Sequence, residues 1–200
     1  MNKSGIFVFF GLTLCLALSA CGPKAFTQGK YVDPNKITML SDKFNENDMQ
    51  LIVKKLVSSL VNDGAIGNLQ EKPVMAIGKV SNRTSEHIDM KLLTDKLRKE
   101  LIAVRRFRFI DIDSRGNLQE EYDYNKTSGN VDQSTVSDPR QIAVRYLVSG
   151  DIGSYVQTVG NDKLVYYKLT LNLTDVKTNE ILWSDDKEVK KSFEKRTIGL

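Results

Sequence analysis

Apolar residues recur every three or four positions in two stretches of the chain, a spacing that is typical of amphipathic helices. The first predicted helix runs from about Glu46 to Asn62, with Asn45 or Asn47 as its N-cap and Gly64 as its stop. Asp89 caps the second. The apolar stripes consist of Met49, Ile52, Val53, Leu56, Val57, Leu60 and Val61 in the first helix and of Met90, Leu93, Leu97, Leu101 and Val104 in the second.

Short apolar runs and a period-two alternation predict strands in the rest of the chain. Val74–Val80 and Phe107–Ile112 are the first two, and residues 146–159 form a third. A turn at Gly160-Asn161-Asp162 leads into the clearest alternation, and a last strand covers 180–189. The residues that this pattern assigns to one buried face are Val165, Tyr167, Leu169, Leu171 and Leu173, together with Trp183 of the last strand.

Residues 114–137 are polar and predict a mobile loop with a short helix around 118–124. Asp138-Pro139 then predicts the start of a third helix that carries Ile142, Ala143 and Tyr146. The order of elements ends in an antiparallel meander. It predicts an α+β protein with a single mixed sheet of four to five strands and helices mainly on one face.

The N-terminus has the pattern of an export signal. One positive charge at Lys3 precedes an apolar run of about a dozen residues, which is too short to span a membrane. The run ends in Leu18-Ser19-Ala20-Cys21, which matches the bacterial lipobox. Residues 1–20 are therefore predicted to be a signal peptide, and Cys21 to be lipidated. An ordinary secretory signal with a chance cysteine is the alternative.

Residues 21–45 are predicted to be a lipidated N-terminus and a short tether, because this stretch lacks any apolar period. As a flexible coil of about 24 residues it would reach ~27 Å, and ~80 Å when fully extended. Gly22 follows the cysteine, which favours sorting to the outer membrane with the domain facing the periplasm. Residues 46–200 form the predicted globular domain.

The inventory of chemically active residues is small. Lys and Arg number 29 and Asp and Glu 25, and the charges are interspersed, so no segment indicates nucleic-acid binding. Cys15 and Cys21 both precede the domain, which excludes a disulfide or a thiolate metal site there. His87 is the one histidine, and motifs for phosphate loops, nucleophile elbows or zinc sites do not occur. The sequence predicts neither an enzyme nor a bound metal or cofactor.

Two hydrophilic clusters are candidates for binding a partner. Arg105, Arg106 and Arg108 lie where the second helix gives way to a strand. They either bind an acidic partner or anionic peptidoglycan, or complement the dipole at the helix C-terminus. Asn82, Arg83 and Thr84 follow a buried strand. There Asn or Thr side chains would satisfy loose backbone groups while the arginine projects outward.

Several segments resemble the LpoB family of outer-membrane lipoproteins that activate penicillin-binding proteins. The resemblance covers roughly residues 52–191, and its most specific pieces are Asn82-Arg83-Thr84 and residues 178–184. The segments that carry it are the lipobox, VMAIGKVSNRTSEHID, FRFIDID, YLVSGDI and LTLNLTDVKTNEILWS.

The resemblance implies a fold similar to the N-terminal domain of TolB and a role in peptidoglycan synthesis without catalysis. Its expected partner is a class A penicillin-binding protein, a bifunctional peptidoglycan synthase. The tether is shorter than the proline-rich tether of enterobacterial members, so the reach or the synthase can differ. Two alternatives stay open: a secretion component similar to the curli exporter or another anchored scaffold, and an anchored periplasmic enzyme.

Overall fold

The computed structural model describes residues 29, 31–33, 36, 40–67, 69, 71–137 and 139–195, and only the backbone of Ala65. The chain divides into two compact units, residues 1–38 and 39–200. The helices and strands that the structure describes belong to the second unit. The predicted signal peptide, Cys21 and most of the predicted tether lie outside the described residues.

The helices begin where side-chain caps are available. The Asn45 side chain accepts a hydrogen bond from the Asp48 backbone N–H. The Asp48 side chain in turn accepts one from the Asn45 backbone N–H, and the two bonds form a capping box. Asp89 caps the next long helix through the Leu92 N–H. The helices are α1 (Glu46–Asn62), the single turn α2 (Gly64–Gly67), α3 (Met90–Ala103) and α4 (Arg115–Thr127).

In the described part of the chain, five strands form one mixed sheet in the order β2-β1-β3-β4-β5. Strand β1 is parallel to both neighbours, whereas β3, β4 and β5 form an antiparallel meander. The strands are β1 (Val74–Asn82), β2 (Arg108–Phe109), β3 (Tyr146–Val159), β4 (Asp162–Asp175) and β5 (Ile181–Glu194). This architecture confirms the predicted α+β class.

The core lies between one face of the sheet and helices α1 and α3. Helix α1 packs against β5 and α3 against β1. The predicted face of β4 and Trp183 of β5 are buried, as the alternation predicts. At Gly150 of β3 a Cβ atom would lie 2.0 Å from the Thr170 carbonyl oxygen, so the close approach of β3 to β4 requires glycine there.

Four local predictions differ from the structure. The prediction of a third helix is wrong, because residues 139–145 are not helical and Tyr146 begins β3. Asp138, its predicted cap, lies outside the described residues. The Arg145 N–H donates to the Val74 carbonyl instead, and the Arg145 carbonyl accepts from Val176 N–H, so sheet neighbours take these groups. The second strand is shorter than predicted, with Arg108 and Phe109 alone, and the helix around 118–124 is longer. The last strand runs to Glu194, five residues beyond the predicted end at Val189.

Candidate partner-binding surface

The two predicted hydrophilic clusters lie at opposite ends of the domain. Arg108 pairs with Val74, the first residue of β1, while Asn82 is the last residue of that strand. The nine residues of β1 separate them by about 26 Å. We call the first the arginine end, formed by residues 104–108 and the neighbouring turn 175–181. The second is the strap end, formed by residues 42–45 and the loop 82–86.

At the arginine end, the three arginines have different roles. Arg106 Nη1 donates to the Val61 carbonyl at 2.6 Å, so this side chain closes the C-terminus of α1. Arg105 follows α3 with φ 60°, a left-handed conformation that favours glycine. Arg108 lies on the short edge strand β2. All three side chains are exposed. Of the three, Arg106 is the one whose side chain has a structural role, through its hydrogen bond to α1.

Exposed apolar side chains accompany the arginines. Ile102 in the last turn of α3 is 49% exposed, and Leu69 lies beyond α2. Val176 and Ile181, which flank the turn between β4 and β5, are 55% and 60% exposed. Arginines interspersed with exposed apolar residues are typical of the central part of a protein interface.

The turn at this end is rigid. Asp175 is buried, and its carboxylate accepts Arg145 Nη2 at 2.6 Å and the Lys177 N–H at 2.7 Å. Burial raises the pKa of Asp175, but these hydrogen bonds outweigh burial and hold the pKa below its usual value. A fixed turn keeps Val176 and Ile181 in place for a partner.

At the strap end, the candidate residues close a loop. The Asn82 side chain accepts from the Thr84 N–H at 2.9 Å and donates to the Glu86 carbonyl at 2.7 Å. The Thr84 hydroxyl bonds both Asn82 and the Glu86 backbone. Arg83 projects outward, and its Nη1 lies 3.7 Å from Asp151 Oδ1. These contacts agree with the structural interpretation of the loop.

Glu86 connects this loop to the segment before α1. One carboxylate oxygen accepts the Phe44 N–H at 2.9 Å, and the other accepts the Tyr167 hydroxyl. The Phe44 ring meets the Tyr167 ring edge to face at 5.5 Å. Burial and the bond to Glu86 both raise the pKa of Tyr167, so the hydroxyl stays protonated and donates.

A buried ion pair completes the strap end. Lys191 Nζ lies 2.7 Å from Asp48 Oδ2 and 2.6 Å from the Lys43 carbonyl oxygen, with both side chains under 5% exposed. Sequence reasoning missed this pair because lysine is usually assigned to solvent. The signal was the strand alternation, since Lys191 shares its parity with Trp183 and Val189 on the buried face of β5.

Neither a metal-binding cluster nor a membrane-spanning helix occurs among the described residues. No three His, Cys, Asp or Glu residues among them are close enough to hold a metal ion. His87 is exposed. No helix in the described part of the chain is long and apolar enough to cross a membrane.

Solved structures with detectable similarity include LpoB proteins. The LpoB C-terminal domain from Salmonella enterica is 17% identical, with a TM-score of 0.44, over 71% of this chain and 98% of that one. The corresponding Escherichia coli domain is 18% identical over the same shares, with a TM-score of 0.44. The NMR structure of E. coli LpoB is 15% identical over 86% of this chain and 84% of that one, with a TM-score of 0.43.

No curated protein matches this chain. The model of the family described as peptidoglycan-synthase activator LpoB matches residues 48–189, which is more than half of the chain and includes the arginine end and the 82–86 loop of the strap end. The chain therefore belongs to the LpoB family.

Proposed function

We propose that this protein is a non-enzymatic outer-membrane lipoprotein that binds a class A penicillin-binding protein and stimulates its synthesis of peptidoglycan. The observation that carries the proposal is the family match over residues 48–189. The described domain supports it with exposed arginines and exposed apolar side chains at one end, and the sequence adds a single histidine and no catalytic motif.

Activation by binding requires that the protein prefer the active conformation of the synthase over the inactive one. The stimulation then saturates with the concentration of the activator and disappears when the contact surface is altered. Purified full-length protein in detergent, added to each bifunctional synthase of the same organism, tests this through the rate of lipid II polymerisation. A saturable increase with one synthase is expected. No binding and no rate change with any of them would contradict the proposal.

The arginine end is the docking surface that we favour. Arg105 and Arg108 have no structural role comparable to that of Arg106, and exposed apolar residues lie at the same end of the domain. Residues 42–45, which lead into helix α1, lie at the strap end, opposite the arginine end. The arginine end therefore lies about 25 Å beyond it, the length of the 17-residue helix α1.

We further propose that Cys21 carries the lipid that holds the protein in the outer membrane, on the basis of the lipobox and Gly22. One acyl chain contributes about 0.8 kcal/mol per buried CH₂, and two or more chains give firm anchoring. The protein should incorporate labelled fatty acid, and Cys21→Ser should abolish labelling and leave the precursor unprocessed. Equal labelling of the variant and the wild type would contradict the anchor.

A further inference from the structure

The outer edge of the sheet is open along strand β5. This strand is the last in the sheet order, and among the described residues no strand pairs with its far side over Ile181–Glu194. Alternate residues of an edge strand direct their backbone N–H and C=O groups outward. A 14-residue edge can thus hydrogen bond to a further strand.

A basic groove of about 560 Å³ runs beside this edge, between β5 and the outer side of α1. No acidic residue is among those that line it. Lys55 pairs with Asp185 of β5, but among the described residues no carboxylate forms an ion pair with Lys54 or Lys187. The lining residues are Leu51, Lys54, Lys55, Ser58, Ser59, Asn62 and Lys187.

The groove lies where the helix-facing side chains of an added strand would go. Lys187 pairs with Leu169 and points to the same side of β5 as Trp183 and Val189, which is the side that α1 packs against. Side chains of an added strand would meet Lys54, Lys187 and two serines, and the half-exposed Leu51 offers one apolar contact. Carboxylates match this lining in charge, and short side chains match it in size.

Lysines on an edge strand also protect against unwanted pairing, which would account for Lys187 and Lys190. That explanation does not extend to Lys54 and Lys55, which belong to α1. The groove also continues to Asn62, beside the Val61 carbonyl that Arg106 holds. The lysine groove and the arginine end are therefore adjacent parts of one basic surface.

We propose that the β5 edge and its lysine groove bind an extended, acidic segment of a protein partner, which adds to the sheet as a sixth strand. The identity of the partner rests on the proposed function, in which the segment belongs to the synthase. Backbone hydrogen bonds to β5 would supply affinity, and the lysines would select acidic side chains.

The test uses full-length protein in detergent and a fluorescein-labelled ten-residue peptide of alternating Glu and Thr as the probe. Anisotropy should rise with protein concentration and fall as salt is raised. The double variant Lys54→Glu, Lys187→Glu should weaken binding by about tenfold or more. The matched control is the double variant Lys96→Glu, Lys99→Glu on α3, which reverses two lysines that form no ion pair with described residues, and its binding should stay within about twofold of the wild type.

Strand addition has its own readout. Backbone amides of β5 should gain protection from hydrogen exchange when the peptide binds, and the same peptide with alternate amides N-methylated should not bind. Binding that survives N-methylation would overturn strand addition. If the wild type does not bind the peptide but binds glycerol phosphate, the headgroup of phosphatidylglycerol, and the Lys54→Glu, Lys187→Glu variant does not, the proposal would be overturned in favour of an anionic lipid surface. Concentration-dependent protection of β5 without peptide would overturn it in favour of a second copy of this chain.

The proposal and the function on which it rests can fail separately. If the wild type stimulates a synthase and the Lys54→Glu, Lys187→Glu variant does so with unchanged half-saturation, the edge is not the docking site although the function stands. If no synthase responds to the wild type, the activator function fails. If the peptide still binds, and the lysine variants, N-methylation and hydrogen exchange give the expected results, the edge remains a binding site for acidic strands.

Discussion

The strap end and the arginine end use charged residues in opposite ways. At the strap end Lys191, Asp48 and Glu86 are enclosed or half-enclosed, and hydrogen bonds join them to four separate parts of the chain. At the arginine end Arg105 and Arg108 stay exposed, and Arg105 has a backbone conformation that disfavours its side chain. The first end holds the domain together, whereas the second is available to a partner. Substitutions that separate stability from binding test this difference.

The largest effect is expected at the buried ion pair. Lys191→Ala leaves Asp48 buried without its charged partner and should cost about 3 to 5 kcal/mol of unfolding free energy. Chemical denaturation measures this loss. Lys190→Ala, the exposed neighbour on the same strand, is the matched control and should cost less than about 0.5 kcal/mol. Equal losses in the two variants would show that the pair does not stabilise the domain.

A smaller loss is expected at the tyrosine of the strap end. Tyr167→Phe keeps the ring against Phe44 but removes the donor to Glu86, which should cost about 1 to 3 kcal/mol. Tyr166→Phe is the control, since the Tyr166 hydroxyl donates to Glu188 on the open face of the sheet, and its effect should be much smaller. Denaturation curves that reverse this order would contradict the structural role of the Glu86 contact.

Arg105→Gly should act in the other direction. Glycine adopts the left-handed conformation of residue 105 without strain, so the variant should gain about 0.5 kcal/mol of stability. If Arg105 binds the synthase, the same variant should need more protein for half-maximal stimulation. Asn179→Gly, at the other non-glycine position with positive φ in the described residues, should change stability less, because asparagine tolerates this conformation. A variant at 105 that is more stable and equally active would remove Arg105 from the binding surface.

The smallest effect on stability is expected for Arg108→Glu, below about 0.5 kcal/mol, because the side chain is exposed and forms no ion pair with described residues. Its effect on synthase stimulation should nevertheless be large. Arg83→Glu makes the same charge change at the strap end and should leave stimulation nearly unchanged. If Arg83→Glu is the variant that loses stimulation, the synthase docks at the strap end instead.

The sequence anticipated elements whose signals are local and repeated. The stripe in α1, its Asn45 cap and the alternation in β4 each repeat a spacing over several residues, and the structure has all three. The predicted helix around Ile142 does not form. Its sequence signal was a few apolar residues after a proline, and the Arg145 backbone instead forms hydrogen bonds with Val74 and Val176. The arginine cluster was visible as a run of charge. That Arg106 is structural and Arg108 is free could not be read from the run.

The sequence by itself determined the α+β class and the buried face of the meander, because periodicity is a property of consecutive residues, and its resemblance to LpoB proteins indicated the family. Only the tertiary structure decided which charges are structural and which are available. Asp48 and Lys191 are 143 positions apart, and Glu86 and Tyr167 are 81 apart. Pairs so distant meet only when residues 42–45 pack across the start of β4 and the end of β5. The same packing leaves Arg105, Arg108 and the β5 edge uncovered. Burial and contact between distant residues depend on that packing, which no local pattern encodes.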